Sequence, residues 1–154
     1  MSNNKINIGD PVPLFTLQDQ NGQTFSIKDF IGKKKIVIYF YPKDESSGCT
    51  KEACSFRDSY QFFEDAGAIV VGINSASPES HRNFAKNHNL KFTLLSDPGN
   101  KVLSLFGIKN VLFLTGRETF VVDEGGLVKF RYRGFLDGAA HVKETIGYLR
   151  SENI

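Results

Sequence analysis

Cys49 and Cys54 are the only two cysteines in this 154-residue chain, and their spacing limits the chemistry open to them. They fall where a helix should begin, just after the run Phe40-Tyr41-Pro42. With 3.6 residues per turn and a 1.5 Å rise, helical residues five apart have Cα atoms about 8.6 Å from each other. A disulfide needs Cα atoms within about 7 Å. An intact helix therefore keeps the two thiols apart, and unwinding its first turn lets them bond. Such a pair suits a redox cycle better than a static cross-link.

Position also favours ionisation of Cys49. A helix N-terminus carries about half a positive charge and unpaired N–H groups, and both stabilise a thiolate. Taken alone, Cys49 serves as well as a small buried residue that opens an apolar stripe. A zinc site would want about four ligands in short-spaced pairs. His81, His88 and His141 read as exposed polar residues and form no such pairs with the cysteines. A dithiol oxidoreductase would want Cys-x-x-Cys, whereas four residues intervene here. A redox switch without catalysis would keep both thiols, and the pair by itself leaves that reading open.

The elements that must position these residues follow from the hydrophobic pattern. Lys35 to Tyr41 is a nearly continuous β-branched and aromatic run, as in a strand buried on both faces, and Pro42 ends it. Lys43 to Gly48 reads as a loop. Cys49, Ala53, Phe56, Tyr60 and Phe63 then form one helical stripe, stopped by Ala66-Gly67. Ala68 to Ile73 is a second buried strand. Ser77 caps and Pro78 opens a helix to about Asn89. Phe92 to Leu95 is a short strand, followed by the turn Ser96 to Gly99 and a helix through Phe106. Glu118 to Asp123 and Leu127 to Arg133 form a hairpin, and Ala139 to Arg150 a last amphipathic helix. Upstream, Leu14 to Leu17 and Gln23 to Phe25 flank an Asn21-Gly22 turn, and Ser26 is placed to cap a short helix through Phe30. This order predicts an α/β protein with a central mixed β-sheet flanked by helices. It resembles a thioredoxin-like fold with an N-terminal β-hairpin extension, spanning residues 1–154 as a single domain.

Composition narrows the function classes. Hydrophobic residues make up 40% and charged residues 23% of the chain, an ordinary globular balance. A net charge of +2 argues for neither a nucleic-acid nor a membrane partner, and Lys33-Lys34-Lys35 reads as a solvated turn. No apolar run approaches the roughly 18 residues of a membrane span. The first residues carry no secretory h-region. The expectation is a cytoplasmic protein, with an organelle form after transit-peptide removal left open.

The segment from Phe40 to Cys54, Phe-Tyr-Pro-Lys-Asp-Glu-Ser-Ser-Gly-Cys-Thr-Lys-Glu-Ala-Cys, closely resembles the active-site segment of the peroxiredoxins. It is similar to the branch called bacterioferritin comigratory protein or peroxiredoxin Q, which reads Phe-Tyr-Pro-Lys-Asp-x-Thr-Pro-Gly-Cys-Thr-x-Glu-Ala-Cys. The likeness continues through Phe56-Arg57-Asp58, the Gly67 to Gly72 strand, the Ser96-Asp97-Pro98 turn and Gly116 to Asp123, and so covers nearly the whole chain. Ser47 departs from the family's proline, which would stiffen the loop. Ser46 replaces threonine and lacks the methyl that would help pack its hydroxyl.

The resemblance implies roles residue by residue. Cys49 matches the peroxidatic cysteine and Cys54 the resolving cysteine. Pro42 matches the proline that shields the thiolate, Ser46 the hydroxyl that bonds thiolate and peroxide, and Arg117 the arginine that pairs with both. Without the motif, Arg117 would be a surface charge, Ser46 a capping residue, Pro42 a strand terminator and Cys54 an idle thiol. The implied activity is reduction of hydrogen peroxide and organic hydroperoxides by thiols alone, with no cofactor and no metal. Thioredoxin or a similar dithiol is the implied reductant. Two thiols in one chain need no partner subunit, so a monomer is expected.

Overall fold

The computed structural model describes residues 5–108, 117–134 and 137–152. Its centre is strand β3, Lys35–Phe40, buried from Ile36 onward. β3 pairs in parallel with β4, Ala68–Asn74, which pairs in parallel with β5, Thr93–Ser96. On its other side β3 runs antiparallel to β6, Glu118–Val122, and β6 to β7, Val128–Arg133. The hairpin of β1, Thr16–Asp19, and β2, Thr24–Ser26, adds to β5, giving the order β2-β1-β5-β4-β3-β6-β7. The sheet is thus mixed, with the expected hairpin as its N-terminal edge.

The two faces are filled by alternate residues of β3, as the period of a strand requires. Ile36, Ile38 and Phe40 meet Ile73, Phe106 and Phe120 on one face. Val37 and Tyr39, with Tyr41 just beyond the strand, meet Phe56, Phe63, Phe84 and Phe92 on the other. Helices α1, Ser47–Asp58, α2, Tyr60–Asp65, α3, Pro78–His88, and α5, Gly138–Ser151, cover this second face. Helix α4, Lys101–Leu105, and residues of the N-terminal segment cover the first.

Three expectations need correction. The stripe from Cys49 to Phe63 is two helices, because the backbone at Ser59 leaves helical values (φ −101°, ψ 11°). The break turns Tyr60 half out while Phe63 still packs on Phe56, ring centroids 5.6 Å apart. Ser26 precedes only a single 3-10 turn, Ile27–Asp29, and does not cap it. Its hydroxyl instead accepts from Thr16 Oγ1 at 3.4 Å.

The histidines are the third. His81 and His141 are fully buried, and His88 is half-buried against Glu45. Burial of a polar ring is tolerated when its nitrogens find partners. His81 has Asp44 Oδ2 at 2.7 Å and Leu95 O at 3.0 Å. His141 has Thr119 Oγ1 at 2.8 Å and Gly134 O at 2.6 Å. No helix among the described residues is long and apolar enough to cross a membrane.

Candidate active site

The carboxyl edge of the parallel strands builds the site, as is usual in open α/β sheets. Tyr41 keeps one more sheet bond, from its N–H to Ile73 O at 3.2 Å. Pro42 then carries the chain off the edge, half-buried. The loop ends at Ser46, whose extended backbone (φ −71°, ψ 152°) makes it the N-cap of α1. Its hydroxyl oxygen accepts from the Cys49 N–H at 3.3 Å and its hydrogen goes to Lys43 O at 3.2 Å. The capping role and the placement beside Cys49 therefore hold together.

Cys49 lies in the first turn of α1 and is 1% exposed. Its sulfur accepts from Nη2 of Arg117 at 3.4 Å. Arg117 immediately precedes β6 and is 6% exposed. The sheet places it there: Glu118, the next residue, is in register with Phe40. Gly116, which belongs to the same motif, lies outside the described residues. Cys54 sits half-buried on the same unbroken helix, and both thiols are free. The intact helix keeps them at the separation expected of residues five apart.

Glu52 was not among the sequence candidates, yet it is central. Nη1 of Arg117 donates to Glu52 Oε1, so one guanidinium spans the carboxyl and the Cys49 sulfur. Glu52 is fully buried, and burial pushes its carboxyl up to about 8 against the pull of Arg117. Its other oxygen, Oε2, lacks a hydrogen-bond partner among the described residues and stands 3.9 Å from His141 Nδ1. A carbonyl can only accept, so His141 Nε2 donates to Gly134 O and Nδ1 accepts from the Thr119 hydroxyl. That neutral ring agrees with burial driving His141 down to about 4. The available signal was spacing: residues three apart share a helix face, so Glu52 had to point where Cys49 points.

Gly138 permits this arrangement. A Cβ there would lie 2.6 Å from Gly48 O and 2.7 Å from Glu52 Cβ. Only glycine lets the start of α5 press onto the start of α1 and close the pocket around Arg117.

The site is thus a buried thiol held at a helix start, with a guanidinium bonded to its sulfur. Donors of this kind hold a thiolate and stabilise charge moving onto an attacked oxygen. Residues 8–131 match the AhpC/TSA family. The chain is 50% identical over 149 residues to the chloroplastic peroxiredoxin Q of Populus jackii, covering 96% of this chain and 70% of that one. The same protein of Sedum lineare is also 50% identical, with 96% and 80% covered. Among solved structures, peroxidoxin BcpB of Mycobacterium tuberculosis superposes with a TM-score of 0.88 at 33% identity, over 95% of this chain and 97% of that one. The Xanthomonas campestris bacterioferritin comigratory protein, described for its alkyl peroxide reduction activity, gives 0.85 at 28%, over 94% and 100%.

Proposed function

This chain belongs to the peroxiredoxins of the AhpC/TSA family, in their Q branch, and for its peroxidase reaction we propose a cycle carried by Cys49 and Cys54. The Cys49 thiolate attacks one peroxide oxygen. A sulfur–oxygen bond forms, the O–O bond breaks, and water or an alcohol leaves after taking a proton. Arg117 bonds the sulfur at the start and stabilises the charge that moves onto the oxygens. Its planar fork stays charged and can serve two acceptors, which a lysine cannot do as well. Ser46 spends its hydrogen on Lys43 O, so its role toward a peroxide is to accept the O–H. Pro42 walls off bulk water. Glu52 holds the far side of the guanidinium in place.

Attack leaves a sulfenic acid on Cys49. The first turn of α1 then unwinds, the Cys54 thiol condenses with the sulfenic acid, and water leaves as the disulfide forms. A dithiol reopens it by exchange, and family resemblance makes thioredoxin the reductant. Thiols alone close the cycle, and both lie in one chain, so a monomer suffices. A reducing compartment suits this exchange, and the chloroplast named for the plant relatives would supply one as well as the cytoplasm.

The observation that carries this reading is the 3.4 Å bond from Arg117 to the sulfur of a nearly inaccessible Cys49. A non-catalytic redox switch would keep Cys49 and Cys54 but has no need of Pro42, Ser46 and Arg117 together. The test is NADPH oxidation coupled through thioredoxin and its reductase, with hydrogen peroxide or an organic hydroperoxide as substrate. Turnover is expected with both. No peroxide turnover, together with reduction of insulin disulfides, would overturn the reading.

A further inference from the structure

Asp44 lies in the loop between Pro42 and Ser46, and it is the most heavily bonded side chain near the site that the cycle above does not use. Its carboxylate is buried and accepts from four residues. Oδ1 takes the Tyr41 hydroxyl at 2.6 Å and Asn74 Nδ2 at 3.2 Å. Oδ2 takes the Ser80 hydroxyl at 2.7 Å and has His81 Nδ1 at 2.7 Å. His81 Nε2 faces Leu95 O at 3.0 Å. Both nitrogens of a fully buried ring therefore face oxygens, the carboxylate on one side and the Leu95 carbonyl on the other. Burial pushes the Asp44 carboxyl up, but the bonds from His81, Tyr41 and Ser80 outweigh it and hold it below the usual range.

These partners belong to the residue that follows β3, to β4 and to α3. The chain between Tyr41 and Ser46 is thus fastened to elements outside α1. The fastening point lies two residues before Ser46, the N-cap of the turn that must unwind. Beyond that turn, Phe56 is fully buried and fastens α1 again. A fixed N-cap stabilises the first turn, and that turn carries Cys49.

We propose that Asp44 and His81 are a positioning pair. They hold the 42–46 loop so that Ser46 stays bonded to the Cys49 N–H with Pro42 in place before it, and by the same contact they oppose the unwinding that lets Cys54 reach it. The inference rests on the two-cysteine cycle proposed above. It predicts opposite effects on the two half-reactions. With the pair broken, peroxide meets a misplaced pocket and attack slows. The first turn then frays more readily, and the disulfide forms faster. A residue that merely stabilises the fold would not divide the steps this way.

The chain has no tryptophan, so the steps are best followed by rapid quench, with dimedone trapping the sulfenic acid and intact mass spectrometry counting species. In Asp44→Asn and His81→Gln, attack should slow by about tenfold or more, as small displacements at a reacting centre do. Sulfenic acid should disappear about fivefold faster, the scale of a lost N-cap, with less sulfinic acid at high peroxide. The double variant should be no worse than Asp44→Asn alone, since the His81 contact is one of those that Asp44 already loses. Ser80→Ala removes one bond of the four, should shift both steps less with the same signs, and serves if the charge variants fail to fold. Slowing of both steps together, or no change in either, would overturn the inference while leaving the cycle standing. A wild type that consumes no peroxide would overturn the cycle and this inference with it.

Discussion

Arg117 donates from one guanidinium nitrogen to the Cys49 sulfur, 3.4 Å away, and the two residues are joined across 68 positions of sequence by the pairing of β3 with β6. Replacing Arg117 by Met should lower the second-order rate with peroxide by about 10²-fold to 10³-fold, the usual loss when a charge-stabilising donor is removed. Arg117→Lys keeps the charge but cannot reach sulfur and Glu52 together, so it should recover only part of the rate. Peroxide consumption by the two variants, measured at one pH, checks both statements.

Glu52 predicts a pH dependence of stability. Burial raises its carboxyl from the ordinary 4.5 to about 8. Between those values the folded protein holds a proton that the unfolded chain has lost. The contribution is present in full below about 4.5 and disappears as pH rises through 8. Glu52→Gln removes the titrating group. Urea denaturation of wild type and variant should show the variant gaining relative stability as pH rises across that window. A constant difference would contradict this.

His141 predicts the opposite slope. Burial lowers it from 6.5 to about 4, so in that interval the unfolded chain binds a proton that the folded one does not. Its contribution is full above 6.5 and is lost as pH falls toward 4. His141→Asn should abolish that part of the acid loss, whatever it costs at neutral pH. Denaturation midpoints at pH 7 and pH 5 measure it.

Gly138→Ala should be poorly tolerated although it adds one methyl group at a helix start. The new carbon would meet Gly48 O at 2.6 Å and Glu52 Cβ at 2.7 Å, and neither the backbone oxygen nor the Cβ can turn aside. Overpacking of this kind costs about 1–3 kcal/mol. Both thermal stability and peroxide rate should fall, since the strain bears on the turn that carries Cys49. Gly147→Ala, with nothing within 4 Å of the added carbon, is the control.

The sequence makes some of this legible and hides the rest for physical reasons. The β-branched run from Lys35 to Tyr41 announces a strand buried on both faces because its period is local. Ser77-Pro78 announces a helix start for the same reason, and the Ser77 hydroxyl does cap it, accepting from Ser80 N at 3.1 Å. Cys49 and Arg117 could be linked in advance only through a family motif, since nothing in the residues between them encodes a contact 68 positions apart. Glu52 was within reach, one helical turn from Cys49. His81 shares the spacing of buried Phe84 and Ala85, three and four residues on, yet histidine reads as polar until its partners are known. Those partners, Asp44 and Leu95 O, lie 37 and 14 positions away. Buried polar pairs of this kind are tertiary facts, and a linear pattern does not carry them.

In the cycle proposed above, Cys49 and Cys54 are unequal partners, one attacking peroxide within an intact helix and the other reaching it only after that helix unwinds. Mass spectrometry of peroxide-treated wild type and Cys54→Ser tests it most directly. The wild type should end in an intramolecular Cys49–Cys54 disulfide. Cys54→Ser should stop at sulfenic acid on Cys49, or pass on to sulfinic acid there as peroxide rises. Oxidation appearing first on Cys54, or wild type lacking the disulfide, would contradict this cycle.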